Sequence, residues 1–184
     1  MIYRAASVIV LLLTLVASLA GAREDAPKLL VLLVVDQMRA DYVDSYGHQW
    51  TAGLRRLLND GAWFRQAAYP YSATVTCSGH ATIATGSFPA KHGMIQNSWW
   101  DRASDRRVSC TADQRAEPIS YGGPVRERHS PRSLALPTLA DVLRLQTAHR
   151  PKVVSVAVKP RSAITLAGQT ADSVLWFDTE GTWA

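Results

Sequence analysis

Two patterns of apolar and polar positions alternate along the chain. Leu29 to Val35 is an unbroken run rich in Leu and Val that stops at Asp36. Such a run predicts a strand buried on both faces, as in a parallel sheet. Thr51 to Gly61 carries Leu54, Leu57 and Leu58 at helical spacing, and Gly61 marks its end. Trp63 to Ala68 is read as a second strand, and Thr76 to Thr85 as a short helix closed by Gly86. Pro137 to Thr147 predicts a further helix, with Leu139, Val142, Leu143 and Leu145 apolar. Val153 to Val158 is a second buried strand and Val174 to Phe177 a third, after which Thr182 and Trp183 begin a hairpin. Tyr121 to Ser133, with its glycines, prolines and charges, is a loop. Strands alternating with helices predict an α/β layered fold with a mostly parallel sheet. The chain stops at Ala184 soon after a strand signal and without a closing helix, so that sheet is expected to be incomplete.

The first residues change the picture of where the protein works. Arg4, an apolar run from Val8 to Val16, and Ala20-Gly21-Ala22 form a basic, apolar and small-residue series ahead of Arg23. The run is well short of the roughly 20 residues of a membrane-spanning helix. Residues 1–22 are therefore read as a cleaved signal peptide, with Ala20 as the alternative cleavage site, and no membrane attachment is expected afterwards. The remaining 162 residues carry 19 basic and 15 acidic side chains, a net charge of +4. Arg102, Arg106, Arg107, Arg126, Arg128 and Arg132 are interspersed with acids and few aromatics, which describes a solvated surface insertion and no nucleic-acid site. Cys77 and Cys110 are the two cysteines, and in an oxidising compartment they are either bridged or separate thiols.

Candidate chemistry gathers where a parallel sheet presents the carboxyl ends of its strands. Asp36, at such an end, suits either a cation ligand or the cap of the next helix. Thr76 opens a helix, where free N–H groups and the helix dipole favour a phosphate. Its hydroxyl is either a nucleophile in need of activation or an ordinary N-cap. Asn97 offers an amide donor or closes a turn. Lys159 and Arg161, straight after a strand, form either a clamp for a phosphate dianion or a solvated turn. His80 and His92 belong to no metal-spacing motif and are read as structural.

The ordered set is more specific than its members. Val34-Val35-Asp36-Gln37-Met38-Arg39, followed by Thr76-Cys77-Ser78-Gly79-His80 and on to Asn97, resembles the type I phosphodiesterase/nucleotide pyrophosphatase branch of the alkaline phosphatase superfamily. Lys159-Pro160-Arg161 makes it most similar to the PafA-type periplasmic alkaline phosphatases within that branch. The resemblance implies an alkaline phosphatase-like sheet with helices on both faces, of which residues 23–184 form the N-terminal part. It implies two zinc ions, with Asp36 and Thr76 as ligands of one. Thr76 would be the nucleophile, passing through a phosphothreonine intermediate. Asn97, Lys159 and Arg161 would hold the phosphoryl oxygens of a small phosphate monoester. Ser78 stands where the family commonly has Pro, with little expected effect. The family's other zinc ligands have no counterpart in this sequence, so the chain by itself is expected to be inactive. A nucleotide pyrophosphatase or phosphodiesterase is the alternative activity, and a non-catalytic binding module the alternative class. The sequence argues against a sulfatase, because Cys77-Ser78-Gly79 lacks the Cys-x-Pro-x-Arg pattern.

Overall fold

The computed structural model describes residues 28–117, 119–120, 123–125, 127–147, 150–177 and 181–184. The expected signal peptide, residues 1–22, and Arg126 lie outside them. Two units divide the chain, residues 1–35 and 36–184. In the first, the expected strand from Leu29 to Val35 does not form: among the described residues the segment has no ladder partner, and Leu29, Val31 and Leu33 are exposed. An apolar run signals the need for burial, whereas a strand also requires a neighbour to take its N–H and C=O groups.

The second unit opens with α1 (Tyr42–Tyr46), a 3₁₀ turn (Gly47–Gln49) and α2 (Gly53–Asp60). Helix α2 ends at Gly61 as its sequence predicts, because a Cβ there would meet the Leu57 carbonyl oxygen at 2.5 Å. The strand expected at Trp63 to Ala68 is absent. Ala67 N–H bonds back to the Phe64 carbonyl in a turn, Phe64 is exposed, and the Arg65 guanidinium lies 4.5 Å from the Trp63 ring centroid.

Helix α3 (Thr76–Thr85) spans the expected residues and ends on Gly86, whose φ of 64° is the left-handed conformation that glycine adopts without strain. Helix α4 (Pro89–His92) follows, and then an antiparallel hairpin of β1 (Ser98–Asp101) and β2 (Arg106–Ser109). This hairpin lies within the arginine-rich stretch, and its Arg102, Arg106 and Arg107 are solvated as expected. Helix α5 (Leu139–Gln146) is capped by Thr138 and Asp141 in a reciprocal box, and it buries Asp141 and Arg144 while Leu145 stays exposed.

Strand β3 (Val154–Ala157), helix α6 (Pro160–Ala167) and strand β4 (Ser173–Trp176) form a βαβ unit with parallel pairing. The α/β class and the parallel pairing hold. Burial of β3 on both faces does not, since Val154, Val156 and Val158 are exposed among the described residues. Phe177 and Trp183 make the antiparallel bridge that the hairpin signal predicts.

Two apolar clusters hold this unit together. One joins Cys77, Ala81, Met94, Cys110 and Leu134, with Trp99 against it; the other joins Ile164, Trp176 and Ala184. Full burial of a side chain such as Met94 or Leu134 contributes about 1.5–3 kcal/mol, which ties α3 to the segments around it. Cys77 and Cys110 form a disulfide inside the first cluster, with Cα atoms 6.6 Å apart. Among the described residues no helix is long and apolar enough to cross a membrane.

Candidate active site

The site is built around the first turn of α3. Val75 is extended and makes no side-chain cap, so the helix begins abruptly with Thr76. Asp36, the first residue of this unit, reaches Thr76 across 40 positions of sequence. Its Oδ2 accepts a hydrogen bond from Thr76 Oγ at 3.2 Å. Gln37 then turns the chain away with a φ of 62°, unusual for a residue with a side chain. Asp36 does not cap α1, whose N-cap is Asp41.

Asn97 lies immediately before β1. Its Oδ1 accepts the Cys77 N–H at 2.9 Å, filling one of the open donors of the α3 N-terminus. That bond fixes the amide orientation, and among the described residues no hydrogen bond engages Nδ2. Ser78 faces away from this cluster, since its hydroxyl donates to the carbonyls of Ala73 and Val75 in the preceding loop.

Helix α6 packs against α3. Lys159 is its N-cap and Arg161 lies in its first turn after Pro160. Arg161 Nε is buried and has no hydrogen-bond partner among the described residues. A buried guanidinium nitrogen left open suits an anionic ligand. The Lys159 side chain is exposed, and no hydrogen bond links it to Asp36, Thr76 or Asn97 among the described residues.

The two histidines differ. His92 is fully buried, with Nε2 3.1 Å from Thr82 Oγ and Nδ1 accepting the Met94 N–H at 3.1 Å. Burial lowers its pKa, and it is a structural residue as expected. His80 belongs with the site: burial lowers its pKa first, nearby Asp36 and the Thr76 carbonyl oppose that, and Arg161 adds to it. The sequence signal for this position is the i, i+4 spacing from Thr76, which puts both residues on one face of α3.

The donor set also bears on metal. Two oxygens each ~2.0–2.2 Å from a tetrahedral zinc stand about 3.3–3.6 Å apart, and the Asp36 and Thr76 oxygens are 3.2 Å apart. That hydrogen-bond distance is slightly under the spacing of two positions of one shell. Among the described residues no group of three or more His, Cys, Asp or Glu gathers to complete it.

The family model for type I phosphodiesterase / nucleotide pyrophosphatase matches residues 30–180. The chain belongs to that family. It is similar to alkaline phosphatase PafA of Elizabethkingia meningoseptica, 40% identical over 153 residues that cover 83% of this chain and 28% of that protein. Alkaline phosphatase PhoV of Synechococcus elongatus is 40% identical over 154 residues, again 83% of this chain and 28% of that one. The crystal structure of wild-type PafA matches with a TM-score of 0.81 at 38% identity, covering 88% of this chain and 32% of that one. A PafA variant with a threonine, an asparagine, a lysine and an arginine replaced matches with the same TM-score at 36% identity. The chain spans less than a third of the length of these relatives, and the PafA match carries the alkaline phosphatase-like α/β fold.

Proposed function

We propose that the protein hydrolyses phosphate monoesters through Thr76, as an alkaline phosphatase. The observation that carries this reading is the hydrogen bond between Asp36 and the Thr76 hydroxyl at a helix N-terminus. Support also comes from the PafA variant, whose four replaced residues have the same spacing along the chain as Thr76, Asn97, Lys159 and Arg161.

Thr76 Oγ attacks phosphorus in line. The bond from Oγ to phosphorus forms, the bond to the ester oxygen breaks, and the alcohol leaves. Water then attacks the phosphothreonine, releasing inorganic phosphate and restoring Thr76. Asn97 Nδ2 donates to one nonbridging oxygen, while Lys159 and Arg161 balance the charge of the dianion. Two zinc ions are the proposed cofactors, with Asp36 and Thr76 holding one of them; when bound, they supply Lewis acidity and charge neutralisation. With only these two donors, residues 23–184 alone are expected to bind zinc weakly and to be inactive.

The leader in residues 1–22 and the Cys77–Cys110 disulfide both support work in an oxidising compartment, the periplasm or the exterior. The substrate class is a small phosphate ester, with no nucleic-acid or membrane partner.

The test is turnover of p-nitrophenyl phosphate and its bis-ester at alkaline pH by the protein encoded in the complete reading frame. Monoester hydrolysis that a chelator abolishes is expected. Preference for the diester would move the assignment to the nucleotide pyrophosphatase/phosphodiesterase activity, and chelator-resistant turnover would overturn the metal-dependent mechanism.

A further inference from the structure

Asn97 and Cys110 face each other across the hairpin. The ladder that pairs Ser98 with Ser109 continues one step further, where the Cys110 N–H donates to the Asn97 carbonyl at 3.0 Å. Residues directly opposite in an antiparallel pair project their side chains to the same side. Here both side chains reach one residue. The Cys110 sulfur is bonded to that of Cys77, and Asn97 Oδ1 accepts the Cys77 N–H at 2.9 Å. Cys77 adjoins Thr76, so a cross-strand pair grips the first turn of α3 twice, once covalently and once through the amide. Cys77 and Cys110 are both fully buried in the cluster with Ala81, Met94 and Leu134.

We propose that the Cys77–Cys110 disulfide is a positioning element for catalysis, holding the Asn97 amide at the fixed offset from Thr76 that a phosphoryl oxygen requires. This rests on the reading of Asn97 as a phosphoryl-oxygen donor. One hydrogen bond leaves the hairpin free to hinge about the amide. The disulfide supplies a second point of attachment, and two points suppress that rotation. Small displacements matter because a misplacement of about 1 Å costs on the order of 10²-fold in rate.

The experiment is a double-mutant cycle in the zinc-loaded protein from the complete reading frame. The bridge is removed by Cys77→Ala with Cys110→Ala, the donor by Asn97→Ala, and then both. kcat/KM for p-nitrophenyl phosphate is normalised to folded protein. Loss of the donor is expected to cost about 10²-fold, and loss of the bridge about tenfold. The combined variant should stay within about threefold of Asn97→Ala, since coupled residues are not additive. Losses that multiply, or a bridge-free enzyme that melts earlier with unchanged kcat/KM, would overturn the positioning role. If Asn97→Ala itself leaves turnover unchanged, the reading of Asn97 fails instead. Should the alanine pair not fold, phosphine reduction of the wild-type and Asn97→Ala enzymes in mild urea, until two thiols are titrated, completes the same cycle.

Discussion

Asp36 and Thr76 are separated by 40 positions in sequence and joined by a single hydrogen bond of 3.2 Å. The bond brings a carboxylate to the first residue of a helix whose own cap position, Val75, has no side-chain acceptor to offer. Thr76→Ala removes the proposed nucleophile and is expected to lower monoester turnover by several orders of magnitude, by analogy with other nucleophile removals. Thr76→Ser retains a hydroxyl and should keep measurable activity. Steady-state rates of the two variants, with circular dichroism to verify folding, check this; an active Thr76→Ala enzyme would mean another group is the nucleophile.

Lys159→Ala and Arg161→Ala should each reduce monoester hydrolysis more than diester hydrolysis. A dianion gains more from each neighbouring cation than a monoanion does. The Arg161 effect is expected to be the larger, because its Nε is buried and without a protein partner. Parallel kcat/KM measurements on the two p-nitrophenyl esters give the ratio, and equal losses would remove the monoester assignment.

Asp141 is the structural carboxylate of the unit. It accepts from the Thr138, Gln169 and Thr170 N–H groups and from the Thr138 and Thr170 hydroxyls. Asp141→Ala leaves several of those donors buried and open, at a cost of about 3 kcal/mol or more. Urea denaturation at neutral pH measures this. Gly168→Ala should be damaging for a related reason: φ there is 79°, and a Cβ would run into Asp141 and Thr138.

Asp141 also gives a pH dependence of definite sign. Burial pushes its pKa up, but the accepted hydrogen bonds together hold it below the usual carboxylate range. A depressed folded-state pKa means the stabilisation is complete above about pH 4, the unfolded value. It is then lost as pH falls through the folded value. Asp141→Asn should flatten the acid side of the stability profile, measured as melting temperature against pH.

Much of the fold is legible where local chemistry decides it. Gly86 ends α3 because glycine takes that left-handed conformation cheaply, and Trp183, part of the hairpin signal, bridges to Phe177. The hairpin was hidden because Arg102, Arg106 and Arg107 mask the alternation of Trp99 and Val108, although Asp105 at φ 50° makes its tight turn. Helix α6 was not among the expected elements, because the charges of Lys159 and Arg161 dominate that stretch, although Pro160 at the first helical position is a start signal. Leu29 to Val35 failed as a strand because hydrophobicity does not specify a pairing partner. For the candidate site, residue types and order singled out Asp36, Thr76 and Asn97, which the fold gathers at the start of α3. The Cys77 amide that orients Asn97 is backbone geometry, which residue types do not encode.

Helix α3 buries Thr76, Cys77, Ser78, Gly79, His80, Ala81, Thr82 and Ala84, leaving Ile83 as its exposed large side chain. Nearly every face of it is therefore an inner face. Its residues are small because neighbours close in from all sides, so volume sets what each position accepts more than polarity does. In a saturation scan, Ile83 would be the permissive column of the map and its neighbours the barren ones. The segment holding the proposed nucleophile would thus appear constrained even at positions that never meet a substrate, and intolerance there would be a poor guide to which side chains do the chemistry.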